Sequence, residues 1–449
     1  MKRIVFILLI ILLTNVCVNA QNATNNQTAT EQKTLNDNAS ISKEDAQEVQ
    51  NGTANNDKTA AQKKNNGTNY RMGLLEISIP QIIMVVLGLF FLYLSIVKKY
   101  EPLLLMPLAV GIVIANIPGA NLSAYDQGGL LNFLYQGISR VIYPPLIFLC
   151  IGSMTDFGPL IASPKTAFIG IGGQLGIFVA FGGAILLGNL FAPIVPEAWN
   201  FHGFALNEAA SIAIIGSSDG PTSIYTATRL APDLLPTIAI AAFSYMALVP
   251  FIQPPIMRWL TNAKERVIVM PPPNQVTRRQ KILFPIIVTI LTLLLVPAAG
   301  ALIGMFMLGN LIKESGVTGR YLETLQNPFL NLLTLLISMS IGASATADRF
   351  LTFQTLLIVF LGLAAFAFGT VGGVLVAKLL CKLTGGKINP LIGNAGVSAM
   401  PMAARISQKM GLYYNPQNHL LMHAMGPLVS STIGSAIIAG LFLAFFGNL

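Results

Sequence analysis

Charge is what this chain has least of: Asp, Glu, Lys and Arg make up 10% of its 449 residues, against 53% hydrophobic. A soluble domain carries roughly a quarter charged residues, so the composition excludes an ordinary soluble fold and marks a polytopic membrane protein. Cysteine is scarce too. Cys17, Cys150 and Cys381 lie far apart in apolar surroundings, which excludes a disulfide framework and a thiolate metal site. Of the three histidines, His419 and His423 are four residues apart, but no Cys or acid accompanies them and His202 is remote, so no transition-metal site is expected. No GxxxxGK[ST] run occurs, and Gly385-Gly386-Lys387 lacks the upstream glycine, which argues against ATP-driven transport within this chain. The 27 basic residues outnumber the 18 acidic ones but fall mostly in loops, where orientation in a lipid bilayer accounts for them without nucleic acid.

What is present is a succession of apolar segments behind a distinct leader. Residues 1–20 combine a basic start, a short apolar core and Val-Asn-Ala before a cleavage point, the pattern of a secretory signal peptide. Residues 21–72 are rich in Asn, Thr, Gln and Lys and read as a disordered extracytoplasmic leader. Apolar segments then fall near 80–97, 102–117, 133–153 and 166–190, followed by an interrupted pair over 203–228 and a run over 234–257. After a basic linker, 258–281, the layout returns near 283–297, 300–312, 328–347 and 352–381, with an interrupted pair over 388–411 and a run over 419–446. Trp199 and Trp259 sit at predicted span ends, as interfacial anchors do.

The halves also repeat in residues. SSDGPTSIYTATRLAPDLLP, 217–236, aligns without gaps on VSAMPMAARISQKMGLYYNP, 397–416, which sets Ser218 opposite Ser398, Pro221 opposite Pro401 and Asp219 opposite Ala399. Corresponding Gly/Pro-interrupted segments in two halves point to a transporter site. If every segment crosses, the halves are parallel; if each interrupted pair turns back as a hairpin, each half has five spans and the halves are inverted. Hairpins place Lys98, Lys99, Lys165, the linker, Lys313 and Lys378 on one side and leave only Arg140, Arg229 and Arg349 opposite, as the positive-inside rule favours. The expected fold is therefore all-α and polytopic, with inverted repeats at 73–257 and 282–449. Hairpin arms of about 13 residues reach about 20 Å, past the midplane of a hydrocarbon core about 30 Å thick, so the two turns should meet inside the membrane.

Broken backbone at that depth is tolerated only where it is buried in protein or lines a wet cavity. Its free carbonyls, with Ser217, Ser218, Asp219 and Thr222 on one turn and Asn389, Asn394 and Ser398 on the other, form a hard-oxygen set suited to Na+ or H+. The bland alternative makes Asp219 and the serines helix N-caps and Pro221 a first-turn residue; at membrane depth an ionisable residue points instead to function. Arg405, one turn after Pro401, suits a substrate carboxylate, or snorkels to set topology. Tyr245, in FSYMALVPF, suits packing as well as chemistry.

GSSDGPTSIYTATRLAPDLLPTIAIAAFSYMALVPFIQPPIMR together with NPLIGNAGVSAMPMAARISQKMG resembles the beta subunit of sodium-pumping biotin-dependent decarboxylases acting on oxaloacetate, methylmalonyl-CoA or glutaconyl-CoA. The likeness runs from about Ile77 to the C-terminus and leaves the leader outside. It implies a multi-pass protein of the inner (plasma) membrane that decarboxylates carboxybiotin, consumes a proton and exports Na+. The implied partners are a biotin-bearing carboxyltransferase or biotin-carrier subunit, a small membrane gamma or delta subunit, and further copies of the chain; the chain has no Ala-Met-Lys-Met attachment sequence of its own. By matching motif, the family's functional residues fall on Asp219, Tyr245, Asn389, Gly393, Ser398 and Arg405. This implies Na+ on Asp219, Asn389 and Ser398, carboxybiotin at Arg405 with Gly393 allowing close approach, and Asp219, Tyr245 or Ser398 as proton relays. A secondary Na+-coupled carboxylate transporter is the alternative, and it would need no biotin-bearing partner.

Overall fold

The computed structural model describes residues 76–199, 201–272 and 274–447; the expected signal peptide and leader lie outside them. Among the described residues the chain is helical throughout, without strands. Five helices are long and apolar enough to cross a membrane, or up to seven if each of two bent pairs is one span. The first half comprises α1 (Ile79–Ile96), α2 (Pro102–Ala115), α3 (Leu130–Ser139), α4 (Tyr143–Met154), α5 (Pro164–Phe191), α6 (Leu206–Ala213), α7 (Gly220–Leu230) and α8 (Leu235–Leu260). The second comprises α9 (Arg278–Leu295), α10 (Gly300–Ser315), α11 (Gly319–Ser344), α12 (Phe353–Leu383), α13 (Met402–Tyr414) and α14 (Leu421–Phe446).

Local chemistry starts and breaks these helices. Ser78 and Gln81 form a reciprocal capping box ahead of α1, whose Ile82, Val86, Leu89 and Tyr93 stay exposed, an apolar stripe that suits lipid rather than water. The segment expected as one span over 133–153 is two helices bent by 69°. The break falls where Val141 takes φ 61°, a conformation costly for a β-branched residue and carrying no glycine signal in sequence.

Packing is by glycine. In membranes small residues let helix backbones approach, and here the pairs are reciprocal between halves. α2 crosses α11 where a Cβ on Gly111 would lie 2.5 Å from the Met339 carbonyl oxygen, and one on Gly342 2.1 Å from that of Leu108. α4 crosses α10 where a Cβ on Gly152 would lie 1.9 Å from the Phe306 oxygen, and one on Gly309 2.0 Å from that of Leu149. At the centre α5 meets α12, with a Gly372 Cβ position 2.2 Å from the Gly172 oxygen.

Contacts define two ends of the bundle. At one end Lys281 meets Asp156 at 3.0 Å, Lys313 donates to the Thr155 carbonyl, and Lys378 donates to that of Leu260. At the other, Arg349 meets Asp233 at 3.4 Å and stacks over Tyr125, while Asn116 ties α2 to the Ala345 carbonyl and the Ala347 amide. Burial pushes Asp156 up, but the Gly158 amide and Lys281, with Lys313 close by, outweigh it and hold the carboxyl below its ordinary range. A depressed folded value means stability that is present above the unfolded value of about 4 and is lost as pH falls through the folded one. Asp156→Asn is therefore expected to lower the thermal stability of the detergent-solubilised protein by about 1 kcal/mol or less at pH 7, with a difference from the parent that shrinks as the pH falls below about 4, as differential scanning fluorimetry would read.

Candidate functional site

The first broken segment is built by its own residues. α6 tightens into a 3-10 turn over Ile214–Ser217, Ser218 takes the left-handed conformation at φ 57°, and Asp219 becomes the N-cap of α7 with Pro221 in its first turn. The capping reading is thus correct for Asp219, whose Oδ1 accepts from the Thr222 amide at 3.4 Å. It is also incomplete. Oδ2 accepts from the Thr222 hydroxyl at 2.7 Å and from Ser435 Oγ, on α14, at 3.1 Å.

The second broken segment rises through a 3-10 helix, Pro390–Gly396, and returns along α13. Asn207 donates to the Leu230 carbonyl and closes the foot of the first segment near the Asp233 end. The foot of the second is fastened at the opposite end, where Arg266 reaches the Tyr414 hydroxyl and its carbonyl accepts from Asn389. The tips meet: the Ser398 amide donates to the Ser217 carbonyl at 2.8 Å. Ser398 Oγ lies 2.9 Å from Ser431 Oγ, and Gln174 Nε2 donates to Ser431 Oγ at 3.1 Å. Glycines bring the surrounding backbones this close. A Cβ on Gly173 would sit 1.7 Å from the Gly396 oxygen, and one on Gly216 would sit 2.5 Å from that of Gly176.

Asp219 and Ser398 are therefore brought together, through Ser217 and through Ser431 and Ser435 one turn apart on α14. The other expected site residues lie apart from them. Tyr245 is buried, donates its hydroxyl to the Val359 carbonyl and packs its ring on Gly362 of α12. Gly393 faces α12, where a Cβ would lie 2.5 Å from the Val374 Cα. Asn389 caps its 3-10 helix: Nδ2 donates to the carbonyls of Arg266 and Ile268, and Oδ1 accepts from the Leu391 amide. Seven 3-10 residues separate it from the tip, about 14 Å at 2 Å per residue. Asn394, also weighed as an oxygen donor, is engaged by Gln253, Ala403 and Ser407. Arg405 is exposed on α13. Burial raises the Glu101 carboxyl and the positive charge of Arg405 opposes the rise, which puts Arg405 near the loop between α1 and α2.

Three residues of this cluster were not singled out in sequence: Gln174, Ser431 and Ser435. The last two had a weak signal, hydroxyls four apart in an apolar helix. Gln174 falls where α5 breaks between Ala167–Gly173 and Leu175–Phe191.

Electrostatics sets this cluster apart. Asp219 is 5% exposed, and none of the ion pairs among the described residues involves it. A buried carboxylate without a cation is costly in its charged form. Two buried oxygens nearby in the chain's packing, Ser218 Oγ and Gln174 Oε1, have no hydrogen-bond partner among the described residues, although buried polar atoms are nearly always paired.

Fold and site together define a multi-pass helical membrane protein with a buried carboxylate where two broken segments touch. The family model of the Na+-transporting oxaloacetate decarboxylase beta subunit matches residues 80–446, and the chain belongs to that family. It is 51% identical over 376 residues to the methylmalonyl-CoA decarboxylase subunit beta of Veillonella parvula, covering 84% of this chain and 96% of the relative. It is 50% identical over 366 residues to the glutaconyl-CoA decarboxylase subunit beta of Acidaminococcus fermentans, covering 82% and 93%. Oxaloacetate decarboxylase beta chain 2 of Salmonella typhi is 45% identical over 428 residues, covering 83% and 97%. The chain is thus the membrane beta subunit of a Na+-pumping decarboxylase, and the free-standing transporter alternative is set aside.

Proposed function

We propose that the contact between the two tips is where Na+ binds, with Asp219 as its anionic ligand and Ser398 as a neutral one. The observation that carries this is the buried carboxylate that has hydroxyl partners but no ion-pair partner among the described residues. Hydroxyls and carbonyls suit a hard monovalent ion, and the mobile cation itself would supply the missing charge.

The chain releases CO2 from carboxybiotin presented by a biotin-bearing partner subunit. The bond between the ureido nitrogen and the carboxyl carbon breaks, CO2 leaves, and the electron pair left on nitrogen takes a proton. Arg405, exposed at the basic end, holds the carboxylate before it leaves. The positive-inside rule makes that end cytoplasmic, so carboxybiotin arrives from the cytoplasm and Na+ leaves toward the Asp233 end. Moving one charge outward against 100 mV costs about 2.3 kcal/mol, so ion movement and CO2 release must be tightly coupled. The reciprocal pairing of α2 with α11 and of α4 with α10 supports inverted repeats, in which the broken segments move against a frame of glycine-packed helices. Asn389 and Gly393 act on the site by seating the second segment, and Tyr245 by tying α8 to α12. A small gamma or delta subunit and further copies of the chain complete the complex in the inner membrane. The acyl substrate is not written in this subunit: relatives named for three different substrates match it almost equally, at 51, 50 and 45% identity.

Purified complex should release CO2 from free carboxybiotin at a rate that rises with Na+; a rate independent of Na+ would exclude the proposal. Arg405→Ala should raise the KM for free carboxybiotin by about tenfold or more, the loss of one charge-assisted contact. The apparent Na+ affinity should stay where it was.

A further inference from the structure

Gln174 belongs to no motif, yet it is 4% exposed and sits at the only polar position between the two pieces of α5, with three acceptors around its amide nitrogen. Nε2 lies 3.2 Å from the Gly170 carbonyl oxygen, 3.1 Å from that of Ser431 and 3.1 Å from Ser431 Oγ. The two carbonyls only accept, so the atom facing them must be the amide nitrogen, and toward Ser431 Oγ it can only donate. Ser431 Oγ is fully buried, and among the described residues its one hydroxyl acceptor is Ser398 Oγ at 2.9 Å. Of this hydroxyl pair one hydrogen must remain without a protein acceptor. Leaving it on Ser431 would strand it in a fully buried position beside the amide donor; leaving it on Ser398 places it at the contact between the two tips. Accepting from Gln174 also polarises the Ser431 hydroxyl and strengthens it as a donor.

We propose that Gln174 is a positioning residue that directs the chain from Gln174 N–H to Ser431 O–H to Ser398 O–H, so that Ser398 presents its hydrogen to the reacting group. This rests on the reading that Na+ occupies the tip contact while the chain decarboxylates carboxybiotin held by Arg405, and it adds that the ureido group meets the Ser398 hydrogen while a lone pair of the same oxygen remains for Na+. As the bond to CO2 breaks, negative charge grows on the ureido nitrogen, and the hydrogen bond from Ser398 stabilises it. No atom of Gln174 is transferred, and the proton that completes the reaction is the one the reaction already consumes. Unlike Asp219, Gln174 and Ser431 act on the chemical step and not on Na+ binding.

The test is a double-mutant cycle on the purified complex, with Gln174→Met, which keeps the volume and removes the donor, and Ser431→Ala, which suits a helix interior. Each is expected to lower kcat for free carboxybiotin by about tenfold, less than the roughly hundredfold or more that follows loss of a donor in direct contact with a developing charge, with the KM for Na+ within about twofold of the parent. Because Gln174 acts only through Ser431, adding Gln174→Met to Ser431→Ala should cost less than about twofold more. Losses that multiply, a raised KM for Na+, or an unchanged kcat in Ser431→Ala would each overturn the proposal. Should Gln174→Met fail to assemble, Gln174→Leu, which also removes the donor, takes its place in the cycle, and an unchanged kcat in Ser431→Ala overturns the proposal by itself. Failure of the underlying reading would show differently, as a parent complex whose CO2 release ignores Na+.

Discussion

Replacing Asp219 with asparagine is expected to abolish Na+ uptake into vesicles carrying the complex, a loss of at least about a hundredfold, while the protein still assembles. The side chain keeps its shape, and the amide oxygen can still accept from the Thr222 amide or hydroxyl. What disappears is the charge. Asp219 is the one buried acidic side chain among the described residues, so no other element there supplies the negative charge that holds a cation at this depth. Na+ uptake measured beside size-exclusion profiles would separate this from misfolding. Undiminished uptake would remove Asp219 from the ion path.

The second large effect lies in the frame. Gly173→Ala would place a methyl carbon 1.7 Å from the Gly396 carbonyl oxygen, well inside van der Waals contact with backbone that has no rotamer to yield. Overpacking costs about 1–3 kcal/mol in an ordinary core and more where backbone must move. Here the moving parts would be α5 and the base of the second tip, so both the folded yield and the activity should collapse. Gly182→Ala, in the same helix with nothing within 4 Å of the new methyl group, is the matched control. It should fold and pump normally, with a slight gain from helix propensity. Parallel expression and thermal melts of the two variants would read the contrast; equal behaviour would mean that the glycine crossings do not hold the fold.

How much of this could be read from the chain depended on whether a residue's role is local. The interruptions at Gly216–Thr222 and Val397–Pro401 carry Gly and Pro where the backbone breaks, and their alignment anticipated that the two tips touch. The long spans followed from hydropathy, because lipid imposes length. The break at Val141 had no such signal, since a β-branched residue there is forced by its surroundings. The serines of α14 were hidden for a related reason: a serine in an apolar helix ordinarily bonds its own carbonyl one turn back, as Thr432 does to Leu428. Only the packing shows that Ser431 and Ser435 turn toward the two tips. Asn389 was ambiguous in sequence. An Asn before Pro reads as either a ligand or a cap, and here both ends of its amide are engaged at the foot of the second segment. Gly393, in turn, is required by the Val374 backbone against which it lies.

The most direct measurement is equilibrium binding of radioactive Na+ to the purified complex and to its Asp219→Asn variant, without any carboxybiotin present. Saturable binding by the parent, displaced by lowering the pH and absent from the variant, is the predicted result. Equal Na+ binding by both proteins would contradict a cation site built on the buried carboxylate at the meeting of the two broken segments.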